Sequence, residues 1–248
     1  MHPTRQTLPL TELLCRLMQL NKSRKDLKMK KVILATAIAL CTTSAFAGET
    51  AVLKVQGTLT NSACSAELGQ GGVIDYGNIR LGSLSATGNN TIGQKQIPVS
   101  ITCTAATKVG FTITDNRSDS NAQLPVDVNT TSNVTEKYYT YGVGKTTGGV
   151  NIGNYSMWMT DVTADGNSVD PIVQNQDWTD GHWVKGSVPR SDAFATSSFA
   201  TTGTKEPVAL TNATFNFVTN LVIQGTNTLA ITDDTPLDGQ ATMTLVYL

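Results

Sequence analysis

Ile97-Pro98-Val99-Ser100-Ile101-Thr102-Cys103-Thr104 places an apolar residue at every second position. An extended backbone sends successive side chains to opposite faces, so this stretch reads as a strand with one buried face. The same period continues in Val109, Phe111 and Ile113. It recurs in Phe215, Phe217, Leu221 and Ile223, where the polar Thr219 is expected to break the strand, and earlier in Ala51, Leu53, Val55 and Leu59. The chain closes on Ala241-Thr242-Met243-Thr244-Leu245-Val246-Tyr247-Leu248, with Met243, Leu245 and Tyr247 on one face. Long 3.6-period patterns are missing. Turn residues punctuate the strands at Gly69-Gln70-Gly71-Gly72, Thr87-Gly88-Asn89-Asn90, Asp165-Gly166-Asn167 and Asp238-Gly239. Met157–Val162 before Asp165-Gly166 reads as one arm of a hairpin. Residues 115–207 are less regular, and the polar run Asp115–Thr135 is expected to be a loop. Many short strands with such punctuation predict an all-β antiparallel sandwich with an elaborated middle region.

The N-terminal region has a different character. Lys30 and Lys31 precede the apolar run Val32–Leu40, and Ala45-Phe46-Ala47 forms an A-x-A cleavage site. This three-part pattern over residues 29–47 is that of a secretory signal peptide. Its apolar run is shorter than the roughly 20 residues that span a bilayer. Residues 1–28 are expected to be an upstream extension ahead of the true start at Met29. Cleavage after Ala47 leaves Gly48–Leu248 as a single domain without a membrane anchor. That segment holds 10 Lys and Arg against 17 Asp and Glu, a net charge of −7. Without a basic stripe, nucleic acid and anionic lipid are poor partners.

Cys64 and Cys103 remain after cleavage, an even number in an exported chain. That favours one disulfide formed in an oxidising compartment, contributing roughly 3–4 kcal/mol through loop closure. Two buried free thiols are the alternative. In-facing Cys103 sits where a bridge across the two sheets would form. A metal site is disfavoured, because this segment has the single histidine His182 and no C-x-x-C pair.

Gly57-Thr58-Leu59-Thr60-Asn61-Ser62-Ala63-Cys64, Ile101-Thr102-Cys103 and the terminal strand with penultimate Tyr247 resemble subunits of chaperone–usher fimbriae. Val73-Ile74-Asp75-Tyr76-Gly77, Asp115-Asn116-Arg117 and Pro207-Val208-Ala209-Leu210 resemble a GltF-like group of exported, fimbrial-like bacterial proteins. The resemblance implies an immunoglobulin-like, pilin-like sandwich lacking its last strand. A periplasmic chaperone, and then a neighbouring fimbrial subunit, would fill the gap by β-strand addition. Met243, Leu245, Tyr247 and Leu248 are the residues it assigns to that contact, with the Leu248 carboxylate held by the chaperone. A pilin carries about 10–15 residues of donor segment before its first strand. Only Gly48-Glu49-Thr50 would precede the strand here, which suits a tip or non-rod subunit.

Gln176-Asp177-Trp178-Thr179-Asp180-Gly181-His182-Trp183 is the densest cluster of functional side-chain types. Trp178 and Trp183 would stack on the sugar of a surface glycan while Asp180 and His182 bond its hydroxyls. The competing reading is an aromatic anchor for a long loop. His182 near Ser187 and Ser191 lacks a G-x-S-x-G elbow, so no enzyme and no cofactor are expected. Asp161, Asp165, Asn167 and Asp170 lack the EF-hand order and are expected to shape turns. The function expected is that of an exported fimbrial-like structural or adhesive subunit, in the periplasm or a cell-surface fimbrium. The alternative is a soluble periplasmic binding or regulatory protein with a complete sandwich.

Overall fold

A computed structural model describes residues 63–248. The expected extension over 1–28, the signal peptide over 29–47, the strand over Ala51–Leu59 and the motif residues before Ala63 lie outside the described residues. The described chain is all-β. Its strands are β1 (Cys64–Leu68), β2 (Asn90–Asp115), β3 (Val126–Val128), β4 (Thr131–Val134), β5 (Thr140–Gly142), β6 (Gly153–Ala164), β7 (Asn167–Asn175), β8 (Val184–Lys185), β9 (Ala195–Thr201), β10 (Ala209–Ile223) and β11 (Ala241–Tyr247).

Strand β2 organises the rest. It pairs antiparallel with β10 on one side, from Ile223↔Asn90 to Ala209↔Lys108, with register shifts between Leu221 and Val222 and between Leu210 and Asn212. On the other side it pairs with β1, from Cys64↔Cys103 to Leu68↔Val99. Its last part pairs with β11, from Ala241↔Asp115 to Tyr247↔Val109, and meets β9 at Phe111↔Ser197. Strands β5, β6 and β10 extend the first group, and β9, β7 and β8 the second.

The inward faces of both groups share one core. Ile97, Val99, Ile101 and Cys103 are buried, as the alternation requires, and so are Val109, Phe111 and Ile113. Phe111 stacks on Phe215 of β10 with ring centroids 5.6 Å apart and meets Phe217 edge-on at 5.9 Å. Phe199 of β9 closes the aromatic cluster.

Three sequence expectations change. First, β10 runs unbroken through Thr219, which is buried in line with Phe217 and Leu221. Its hydroxyl finds a partner in Tyr76, so a polar residue is tolerated inside. Second, Asp115–Thr135 is not simply a loop, because it contains the β3–β4 hairpin. Val128 and Val134 of that hairpin cover Trp158 and Val218 on the outer face of β6 and β10. The end of β10 is therefore buried on both faces. Third, Cys64 and Cys103 are bonded, but between directly opposed residues of neighbouring strands rather than across two sheets. The hairpin expected at Asp165-Gly166 joins β6 to β7, with Ala164↔Asn167 as its last pair. Both turn residues have positive φ, the geometry of a type I′ turn.

Candidate functional site

A cavity of about 1260 Å³ opens beside β11. Its floor consists of core side chains, among them Ile97, Ile113, Met157, Phe217 and Leu221. One side is Met243 of β11. The other is the irregular segment Val73–Leu81, and residues 231–240 supply a third stretch of lining. Around the mouth stand exposed apolar side chains. Val73 is 60% exposed, and Leu68, Leu81 and Leu237 are each more than a third exposed. Exposed apolar side chains gathered at a cavity make this groove the candidate site.

Local chemistry fixes each side of this groove. Gly71, Gly72 and Gly77 have positive φ, which brackets Val73–Tyr76 with turns. The Asp75 carboxylate accepts from the Gly77 amide at 2.7 Å. Tyr76 then turns inward. Its hydroxyl donates to the Thr219 carbonyl at 3.2 Å and lies 2.9 Å from the Thr219 hydroxyl. Burial raises the Tyr76 pKa, and the Thr219 hydrogen bond partly opposes this. The ring is a neutral, polar-tipped part of an otherwise apolar lining.

Residues 231–240 are held by Asp238. Its amide donates to the Val143 carbonyl at 2.8 Å, and its carboxylate accepts two bonds from the Arg117 guanidinium, at 2.9 and 3.1 Å. Asp115 orients Arg117 by accepting its amide, and accepts the Gly142 amide with its second oxygen, each at 2.9 Å. Burial raises the Asp115 pKa, and these two amide bonds pull it back.

Strand β11 meets no second strand along its outer edge among the described residues. Met243 and Leu245 pack against the core, and of these two Met243 lines the groove, together with Ala241 at the start of β11. Tyr247 is 55% exposed, and its hydroxyl accepts the Cys64 amide at 2.9 Å. Leu248 is also exposed, with its amide donating to the Lys108 carbonyl. The expected strand-addition residues thus divide: one lines the groove, one packs in the core, and two lie at the strand's far end.

The expected sugar platform is arranged differently from the sequence reading. Trp183 is buried against Ile172 and Ala200. It immediately precedes β8, whose pairing with β7 draws the indole inward. Trp178 is half-buried and stacks on the His182 ring, with centroids 4.2 Å apart. His182 Nδ1 bonds the Asp180 carboxylate, and that bond lowers the Asp180 pKa. One indole is therefore an anchor and the other has a face covered by His182, and neither lines the groove. Ser191 donates its hydroxyl to the Lys137 carbonyl, and Ser187 accepts from Asn129. Asp165, also considered for a cation, instead accepts the Thr211 and Asn212 amides and the Thr211 hydroxyl. Asp170 accepts from Gly203 and pairs with Lys185.

In the sequence Val73–Gly77 stands out only through a resemblance. The Tyr76–Thr219 and Arg117–Asp238 contacts join residues more than 100 positions apart, so no local pattern signals them.

Residues 53–156 match a family model described as "Protein of unknown function (DUF1120)". The chain is similar to "Protein GltF" of Escherichia coli (strain K12), at 26% identity over 256 residues that cover 91% of this chain and 99% of that protein. It is also similar to "Uncharacterized protein YhcF" of the same strain, at 26% identity over 238 residues, 87% of this chain and 98% of that one. Over nearly its whole length, then, the chain is similar to GltF-like proteins, and it carries the DUF1120 pattern across the first described strands.

Proposed function

We propose that this protein is an exported fimbrial-like subunit, structural or adhesive, whose pilin-like sandwich is completed by a strand from another polypeptide. The observation that carries the reading is the juxtaposition of β11, an edge strand among the described residues, with an apolar groove lined by Val73, Leu81 and Leu237. An unpaired strand edge next to exposed apolar side chains is an aggregation hazard unless it is covered. An incoming strand would cover it twice. Its backbone would pair with β11, and its alternate side chains would enter the groove. In a periplasm the first donor is a chaperone and the second a neighbouring subunit.

The test is periplasmic expression with and without a co-expressed fimbrial chaperone. A chaperone-dependent yield and an isolable one-to-one complex are expected. Deleting Tyr247 and Leu248 should reduce that complex. A purified chain that is a stable monomer with no chaperone dependence overturns the reading and favours a complete sandwich with a small-molecule role.

A further inference from the structure

The groove says what kind of side chain enters it, and its rim says what charge the entering strand carries. This inference rests on the strand-acceptor reading above. Three carboxylates stand on the rim, Asp75, Asp233 and Asp234, all exposed. None has an ion-pair partner among the described residues. Asp238, also on the rim, is neutralised by Arg117. The remaining cation on the lining is Arg80. Asp233 and Asp234 are adjacent on the lining, in the segment that the Asp238 contacts tie to Arg117 and Val143.

Apolar burial in the groove gives affinity but tells one apolar strand from another only weakly. Backbone pairing with β11 is indifferent to sequence. Charge at the rim is what separates one extended apolar strand from another, because opposite charges speed docking and like charges repel. We propose that the groove selects a cationic strand, with apolar residues alternating with Lys or Arg over Asp75 and Asp233-Asp234. A second copy of this chain is a poor donor on the same ground, since Gly48–Leu248 carries a net charge of −7.

Three synthetic peptides of about twelve residues, long enough to pair along β11 at the usual strand rise, test this. All alternate Val and Leu with one polar residue: Lys, Gln or Glu. Binding to the secreted chain is read by fluorescence anisotropy at low and high salt. The Lys peptide is expected to bind at least tenfold more tightly than the Glu peptide at low salt, with the gap closing as salt screens the rim. In the Asp233→Asn/Asp234→Asn variant the Lys peptide should lose about three- to tenfold, as expected for two rim charges. The Gln peptide should bind that variant as it binds wild type, which shows the groove intact. If the three peptides bind equally, the charge selection is overturned and the acceptor groove stands. Should none bind, the acceptor reading itself fails. A Lys peptide of the same composition with its apolar residues clustered must not bind. If it does, the attraction is unspecific and the proposal is overturned.

Discussion

Reducing the Cys64–Cys103 disulfide should weaken both the fold and the groove. The bridge closes a loop with a sequence separation of 39. In the chain-entropy model a loop of that size contributes about 4 kcal/mol at room temperature. Typical domains are stable by only about 5–15 kcal/mol, so the loss is a large fraction of the whole. The effect is also local. Among the described strands β1 pairs with β2 alone, from Cys64 to Leu68, and the chain then passes through the turn Gly69–Gly72 into Val73–Leu81 beside the groove. Losing the bridge leaves that short edge strand held by its five-residue ladder. Urea unfolding of the oxidised chain and of the same chain in a non-thiol reductant measures the effect without changing side-chain volume. With a slope of about 2 kcal/mol per molar, the midpoint should fall by about 2 M. Peptide binding at the groove should weaken in parallel. A midpoint that moves by less than about 0.3 M would refute the loop-closure reasoning.

Other perturbations separate residues that look alike in sequence. Trp183→Ala should cost about 3–5 kcal/mol in urea unfolding because it empties a buried site, whereas Trp178→Ala should stay within about 1 kcal/mol. Equal losses would contradict the different placements of the two indoles. Gly142→Ala should destabilise the chain by about 2 kcal/mol or more, since the new methyl meets the Arg117 carbonyl and the Ser120 hydroxyl. A neutral result in thermal unfolding would show that the turn above Arg117 yields easily. For Asp115, the folded-state pKa is raised by burial, so the folded chain holds this proton more tightly than the unfolded chain does. Its contribution is fully present below the unfolded carboxylate value and is lost as pH rises through the folded value. Asp115→Asn should therefore flatten this decline in stability above about pH 4, read from urea midpoints across pH. An unchanged slope would mean that Asp115 does not set it.

The strands were legible where one face is buried and the other wet. Ile97–Thr104 and Val109–Ile113 alternate because each lies over the shared core with solvent or polar neighbours behind. The signal fades where burial is two-sided. Val218, Thr219, Asn220, Leu221 and Val222 are all buried, since the β3–β4 hairpin covers the outer face of β10. Thr219 looked like an interruption because its hydroxyl needs a partner, and that partner, Tyr76, lies 143 positions away. The hairpin itself was hidden by polar residues between Val126, Val128 and Val134. The candidate site was legible on one side only. Met243 stands on an alternating strand, but Val73, Leu81 and Leu237 come from irregular segments whose apolar residues follow no period. The Trp178–Trp183 cluster showed the opposite error. Density of functional side-chain types in sequence did not become a shared surface, because the pairing of β8 with β7 turns Trp183 inward.

Amide hydrogen exchange along Ala241–Tyr247 tests strand acceptance most directly. In the isolated chain, the β11 amides that point away from β2 should exchange rapidly, as open edge amides do. Adding the chaperone or the Lys-containing peptide should protect those same amides while the β2-facing ones stay protected throughout. Full protection of β11 in the isolated monomer, unchanged by any added strand, would contradict an open acceptor edge.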